Sequence, residues 1–133
     1  MNDEERAKFK EIFLSEAREY MDSLNKALLE LEKDSENGEP LNEVFRVAHT
    51  LKGMAGTMGY APITDLAHEM ENVLAILRQK KSAVATAVID LLLDCLDVLE
   101  TLIEDVADGK DSGTASYALI ERLKALSGTL PSG

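Results

Sequence analysis

The stretch AHTLKGMAGTMGY, residues 48–60, places a histidine, a lysine and three glycines in a pattern that otherwise predicts a helix. His49 is one of two histidines in the chain, and Lys52 follows it by about one helical turn. A neutral imidazole carries a proton on one nitrogen and a lone pair on the other, so it can act as a nucleophile, a base or a metal ligand. Glycine costs a helix interior roughly 0.5–1 kcal/mol relative to alanine, so Gly53 and Gly56 require a functional or a packing explanation.

A helical wheel places His49 opposite the predicted core face of its helix. At 100° per residue, Gly53 and Gly56 fall within about 40° of His49, and the apolar side chains fall within roughly 60° of the opposite side. The apolar residues are Val44, Val47, Leu51, Met54, Ala55 and Met58. The glycines either leave the surface beside the imidazole open to a large partner or allow close helix packing, and their position on the histidine face favours access. Gly59, before Tyr-Ala-Pro, reads as an ordinary helix stop.

The second histidine lies on the next predicted helix. His68 and Glu71 are spaced i, i+3, so they share one face, away from the apolar side of that helix. The link GYAP (59–62) is short, so the two helices are expected to be antiparallel neighbours. Two histidines on the polar faces of neighbouring helices, beside a surface without side chains, indicate a candidate site.

A metal site is one interpretation of these residues. His49, His68 and Glu71 could supply two imidazoles and a carboxylate. However, HEMEN at 68–72 lacks the second histidine of the HExxH zinc motif, and the helices carry no Glu-x-x-His pair of the di-iron type. Lys52 would also bring a positive charge beside the cation. The sequence therefore disfavours a metal site at these residues.

Phosphoryl transfer through the histidine fits better. The run GMAGTMG lacks the Gly-Lys-Ser/Thr and the preceding strand of a phosphate-binding loop, and no Ser-His-acid or Cys-His arrangement has support. A carboxylate bonded to one ring nitrogen fixes the tautomer and raises the basicity of the other, and Glu71 is the candidate for this role. Lys52 is the local cation that would offset the charge of a phosphoryl group.

All of these residues are expected to lie on helices. The apolar spacing predicts an all-α, up-down four-helix bundle with an additional fifth helix at the C-terminus. The helices are expected at about Asp3–Lys33, Pro40–Met58, Pro62–Gln79, Ser82–Ala107 and Ser112–Leu126. Phe9 belongs to the apolar stripe of the first helix, and the broad apolar arc of the fourth is expected to be covered by the fifth. Residues 1–127 would form one domain, and 128–133 would begin a linker.

Composition narrows the class of partner. The chain has 133 residues and a formal charge of -11, which argues against binding nucleic acid or an anionic membrane surface. Acidic residues interrupt the most apolar stretch every three or four positions, so no membrane span is predicted, and no signal peptide is apparent. The single cysteine, Cys95, excludes an internal disulfide and fits a reducing compartment. We expect a cytoplasmic protein.

The segment FRVAHTLKGMAGTMG (45–59), with His68 and Glu71 downstream, resembles the histidine-containing phosphotransfer domain, specifically the N-terminal domain of CheA chemotaxis kinases. The resemblance covers most of the chain. It implies that His49 is the phosphorylated residue, on Nε2, and that Glu71 bonds Nδ1. It further implies that Lys52 flanks the phosphoryl group and that His68 tunes the network.

The resemblance also implies partners. A separate ATP-binding domain of the kinase would phosphorylate His49, and an aspartate of a response regulator of the CheY or CheB type would receive the group. The domain alone would be a substrate and relay with no cofactor of its own, because ATP and Mg²⁺ would sit on the partner domains. Two alternatives stay open: a stand-alone phosphorelay intermediate that serves another kinase, and a metal-binding or purely structural bundle.

Overall fold

The computed structural model describes residues 2–110 and 116–130, and this part of the chain forms five α-helices. They are α1 (Asp3–Lys33), α2 (Gly38–Met58), α3 (Ala61–Lys80), α4 (Thr86–Asp108) and α5 (Tyr117–Thr129). Each of the first four packs against the next, and α4 returns to α1, which closes a four-helix bundle. The predicted all-α bundle with a fifth helix is confirmed.

The core lies on the axis of the bundle and follows the apolar spacing of the sequence. Six apolar side chains of α3 recur every three or four residues and are all buried, namely Ile63, Leu66, Met70, Val73, Leu74 and Leu77. Most apolar side chains of α2 and α4 are buried as well. The largest fully buried side chains are Leu24, Leu28, Leu31, Leu51, Ile63, Leu66, Met70, Leu74, Leu92, Leu99, Ile103 and Leu123. Burial of one such side chain stabilises the fold by about 1.5–3 kcal/mol. Because α2 and α3 both contribute to this core and pack directly against each other, the core fixes the position of one helix relative to the other.

A two-residue link, Gly59 and Tyr60, reverses the chain between α2 and α3. Gly59 has a φ of 77°, in the left-handed region where a residue without Cβ is favoured. The Tyr60 N–H donates to the Ala55 carbonyl at 2.9 Å, which closes the last turn of α2. Pro62 stands in the first turn of α3, where its missing N–H has no intrahelical partner to lose. The predicted stop at Gly59 is confirmed.

α2 and α4 begin two or more residues away from their predicted first residues, whereas α3 begins only one residue early, at Ala61. α2 starts at Gly38 rather than Pro40, because the Asn37 side chain caps it by accepting from the Glu39 N–H. α4 starts at Thr86 rather than Ser82. Val84 explains this difference, since its side chain is buried and its N–H donates to the Ser35 carbonyl at 2.9 Å, which holds the preceding segment outside the helix.

The C-terminal helix also differs from the prediction. Ser112, the expected first residue, lies outside the described residues, and α5 continues past Leu126 to Thr129. Gly128 and Thr129, predicted to open a linker, are therefore helical, and the linker beyond them stays a prediction. α5 packs mainly against α3, so the broad apolar arc of α4 is covered chiefly by α1 and α3 rather than by the fifth helix.

No helix within 2–110 or 116–130 is long and apolar enough to cross a membrane.

Candidate functional site

The α2–α3 pair brings the first histidine beside a carboxylate from the neighbouring helix. His49 lies in the interior of α2, between the buried residues Ala48 and Leu51, which anchor that helix in the core. Its own side chain points outward and is 63% exposed, whereas the Glu71 side chain on α3 is only 17% exposed. The imidazole therefore lies in solvent, whereas the carboxylate beside it is held in the interface between the two helices.

Glu71 holds two side chains of α2 at once. His49 Nδ1 lies 2.9 Å from Glu71 Oε2, and Lys52 Nζ donates to Glu71 Oε1 at 2.9 Å. An ionised carboxylate can only accept hydrogen bonds, so Nδ1 must carry the proton of the neutral ring. Nε2 is then left with its lone pair, which is the arrangement that a nucleophilic imidazole requires.

The electrostatics keep this carboxylate ionised. Burial acts to raise the pKa of Glu71, but the hydrogen bonds from Lys52 and His49, together with the charge of Lys52, outweigh it. The pKa of Glu71 therefore lies below its ordinary value. At neutral pH the carboxylate is available to orient the ring and to stabilise positive charge that develops on it.

Lys52 is the cation of the site. Its side chain is 29% exposed, and its ammonium group is fixed by Glu71 on the same face of α2 as His49. A group attached to Nε2 of the imidazole would thus add negative charge beside an already positioned ammonium group.

The two glycines leave space beside the ring. A Cβ atom at Gly53 would meet no atom within 4 Å, and one at Gly56 would meet only the Thr64 side chain, at 3.9 Å. Both glycines are exposed. Neither is required for close packing of α2 on α3, so the geometry favours the interpretation that they keep the surface around His49 open.

The structure does not bring His68 into this network. His68 lies on α3 one turn before Glu71, and its side chain is exposed. It makes no hydrogen bond or ion pair with any residue that the structure describes. The tuning role expected for His68 stays a prediction.

Two features of the site were missed at the level of sequence. The Phe45 ring lies beside the His49 imidazole, with ring centroids 6.4 Å apart and planes within 10° of parallel. Arg78 of α3 places its guanidinium carbon 4.3 Å from the centroid of the Phe45 ring. The spacing of Phe45 and His49, i, i+4 on one helix, was a usable signal for the first contact. The contact between Arg78 and Phe45 joins two helices, and no spacing in the sequence indicated it.

An apolar groove also lies next to the glycines. It includes Phe9, so the prediction that Phe9 belongs to the core was wrong. Phe9, expected in the core, is 47% exposed, and Ile12 is 53% exposed. These side chains line a groove of about 190 Å³, the α1–α2 groove, whose other lining residues are Phe13, Glu16, Met54, Thr57 and Met58. Met54 and Thr57 adjoin Gly53 and Gly56 along α2, so the groove continues the open surface beside His49.

A metal centre finds no support in the same geometry. Both oxygens of Glu71 already accept hydrogen bonds, one of them from an ammonium group. Among the described residues, no group of three or more His, Cys, Asp or Glu side chains is placed to hold a metal ion.

Known proteins share this fold and much of this sequence. The model of the Hpt domain family matches residues 8–109. The chemotaxis protein CheA of Listeria monocytogenes is 40% identical over 116 residues, which is 87% of this chain but 19% of that protein. The chain thus spans about a fifth of the length of this relative.

Two solved structures are also similar to this chain. The CheA phosphotransferase domain from Thermotoga maritima is 37% identical and superposes with a TM-score of 0.70, over 75% of this chain and 95% of that one. The phosphorylated P1 domain of CheA3 in complex with CheY6 from R. sphaeroides has a TM-score of 0.84, over 93% of this chain and 98% of that one. At 23% identity, the latter likeness is one of fold.

Proposed function

We propose, from the premise that this chain belongs to the Hpt domain family, that His49 accepts a phosphoryl group on Nε2 and passes it to an aspartate of a response regulator. The observation that carries the proposal is the 2.9 Å contact between His49 Nδ1 and Glu71 Oε2. This contact selects the tautomer whose free lone pair is on the exposed nitrogen.

The transfer consists of two displacements at phosphorus. In the first, the Nε2 lone pair attacks the γ-phosphorus of ATP held by a kinase domain, the N–P bond forms, and the bond to the leaving ADP oxygen breaks. The ring gains positive charge as the N–P bond forms, and the Glu71 carboxylate stabilises that charge. In the second, an aspartate oxygen of the regulator attacks the phosphorus, and the N–P bond breaks to return the lone pair to Nε2.

Both displacements need a large partner to approach a single imidazole. The open surface at Gly53 and Gly56 and the α1–α2 groove provide the area on which such a partner can dock. The P1 domain from R. sphaeroides was crystallised in complex with CheY6, and this supports a regulator of the CheY type as one partner. ATP and Mg²⁺ would be held by the partner domains, and this domain would act as substrate and relay in the cytoplasm.

We assign the domain to a chemotaxis kinase of the CheA type. The similarity to a CheA protein over 87% of the chain supports this assignment. The second candidate is a stand-alone phosphorelay intermediate, which would use the same site with a different kinase.

The test is to locate the phosphoryl group with the two histidines as a matched pair. The wild-type chain, His49→Gln and His68→Gln are incubated with phosphoramidate, and separately with ATP and a CheA kinase core that lacks its own phosphotransfer domain. Intact mass and acid lability report the adduct. We expect an acid-labile adduct on the wild type and on His68→Gln, at whatever rate, and none on His49→Gln.

The outcomes separate the alternatives. Labelling by phosphoramidate but not by the CheA core would overturn the assignment to this kinase type and favour the stand-alone relay. Equal labelling of His49→Gln and wild type, or no labelling of folded wild type by either donor, would overturn the phosphotransfer role of His49.

A further inference from the structure

A second set of contacts joins α2 and α3 about two turns away from the Glu71 network. Arg78 Nε donates to Asn42 Oδ1 at 2.8 Å, and the Arg78 guanidinium carbon lies 4.3 Å from the centroid of the Phe45 ring. Phe45 in turn lies nearly parallel to the His49 imidazole, with centroids 6.4 Å apart. Asn42, Arg78, Phe45 and His49 thus form a continuous array along one face of the helix pair.

Arg78 is held in this array by neutral groups. Among residues 2–110 and 116–130, no carboxylate forms an ion pair with it, although the chain carries 25 acidic residues. Its contacts are the amide oxygen of Asn42 and the face of Phe45. A planar guanidinium group can donate a hydrogen bond and lie over a ring at once, which a lysine ammonium cannot do with the same geometry.

The imidazole needs a restraint that Glu71 alone does not provide. One hydrogen bond at Nδ1 limits the orientation of the ring only loosely, because its length and angle can vary while the ring turns about the Cβ–Cγ bond. The χ2 torsion of histidine has broad minima, and this side chain is 63% exposed, so solvent offers little resistance to such turning. A second ring nearly parallel to the first limits that motion.

We propose that Phe45 and Arg78 are positioning residues for phosphoryl transfer: Arg78, anchored by Asn42, holds the Phe45 ring, and Phe45 restrains the plane of the His49 imidazole. The effect is to aim the Nε2 lone pair along one direction, so that an incoming phosphorus meets it in line. The inference rests on the proposed function of His49, since it concerns how that ring is presented.

The test compares variants that keep or lose one property each. Phe45→Tyr keeps an aromatic ring, and Phe45→Leu removes it. Arg78→Lys keeps the charge without the planar group, and Arg78→Gln removes both. Tyr20→Leu is the matched control, because Tyr20 belongs to another cation–π pair, with Arg46, that does not include His49. Arg18→Lys and Arg18→Gln control for loss of an exposed arginine that pairs across helices.

The first measurement is the rate of labelling by phosphoramidate, a small donor that needs no docking surface. We expect Phe45→Leu and both Arg78 variants to be labelled more slowly by roughly threefold to tenfold, as misalignment of a nucleophile predicts. Phe45→Tyr and the controls are expected to match the wild type. A wild-type labelling rate in Arg78→Lys would overturn the proposal, because it would show that the positive charge of Arg78, and not its planar contact with the Phe45 ring, determines the rate.

The second measurement is the NMR signals of the His49 ring in the same variants, without any donor. We expect Phe45→Leu and Arg78→Gln to shift the imidazole Cε1–H and Cδ2–H signals, because the ring current and the ring orientation change, while thermal unfolding remains cooperative. Wild-type imidazole signals in both variants would overturn the proposal. If Phe45→Leu does not fold, the Arg78 pair decides the matter. The NMR measurement tests the positioning of the ring even if the wild type cannot be labelled. A failure to label the wild type would instead overturn the proposed phosphotransfer function.

Discussion

His49 Nδ1 and Glu71 Oε2 lie 2.9 Å apart although 22 residues separate them along the chain. The contact crosses from α2 to α3, and the second oxygen of Glu71 binds Lys52, three residues after His49. The chemistry of the site therefore depends on the packing of two helices. Neither helix alone contains the ring, its orienting carboxylate and the neighbouring cation.

Removing the charge of Glu71 should slow phosphorylation without abolishing it. We expect Glu71→Ala and Glu71→Gln to lower the phosphoramidate labelling rate by about 10- to 100-fold, the range typical for loss of a group that orients a reactive histidine. Glu71 does not form the bond to phosphorus, so some labelling should persist. Glu69→Gln, on the same helix and outside the network, is the control. Equal rates in Glu71→Ala and wild type would contradict the assigned role.

The lowered pKa of Glu71 predicts a specific acid sensitivity. A carboxyl group whose pKa is lower in the folded than in the unfolded chain stabilises the fold at neutral pH, and this stabilisation is lost as the pH falls from the unfolded value of about 4.3 through the folded one. Urea unfolding of wild type and Glu71→Gln between pH 7 and pH 3 measures it. We expect the free energy of unfolding of the wild type to approach that of Glu71→Gln as the pH falls through this acid range. A difference between the two proteins that stays constant with pH would contradict the lowered pKa of Glu71.

Gly53 should be replaceable without loss of stability. Its Cβ position is empty and the helix continues on both sides, so Gly53→Ala should raise the free energy of unfolding by roughly 0.5–1 kcal/mol. Gly128→Ala, at an equally open position in α5, is the control for this effect. The larger Gly53→Leu should leave phosphoramidate labelling unchanged and slow transfer to or from protein partners. Undiminished transfer in that variant would show that the open surface is not used for docking.

The α1–α2 groove should matter only for protein partners. We expect the double substitution Phe9→Ser and Ile12→Ser to change stability little, because both side chains are already about half exposed. Phosphoramidate labelling should stay at the wild-type rate, while transfer from the phosphorylated domain to a CheY-type regulator should slow severalfold. Leu29→Ser, an exposed apolar residue elsewhere on α1, is the matched control. A similar loss in that control would mean that the effect is not specific to the groove.

The spacing of apolar residues along the chain was sufficient to predict most of the fold. The repeat of Ile63, Leu66 and Met70 coincides with the buried face of α3, and the helical wheel correctly placed His49 on the outer face of α2. Spacing alone could not place Phe9, because it does not reveal how far a partner helix extends over it. The start of α4 was also hidden, since it depends on a hydrogen bond between Val84 and Ser35, which are remote in sequence.

The site itself was only partly accessible from the sequence. Residue chemistry selected His49, Lys52 and Glu71, but their meeting depends on the axial register of α2 against α3, which is defined only once the ends of both helices and the link between them are known. The same limit hid Arg78, whose contact with Phe45 exists only once that register is set.

That register has a source in the two-residue link of Gly59 and Tyr60. His49 lies ten residues before Gly59, and Glu71 lies ten residues after Ala61, so the two side chains stand at matching heights of about 15 Å from the turn. One residue inserted into either arm would move its side chain by about 1.5 Å and rotate it by about 100° around the helix axis. The spacing of the site residues therefore depends on the length of the segment from His49 to Glu71, and an insertion or deletion within it would separate the imidazole from its carboxylate.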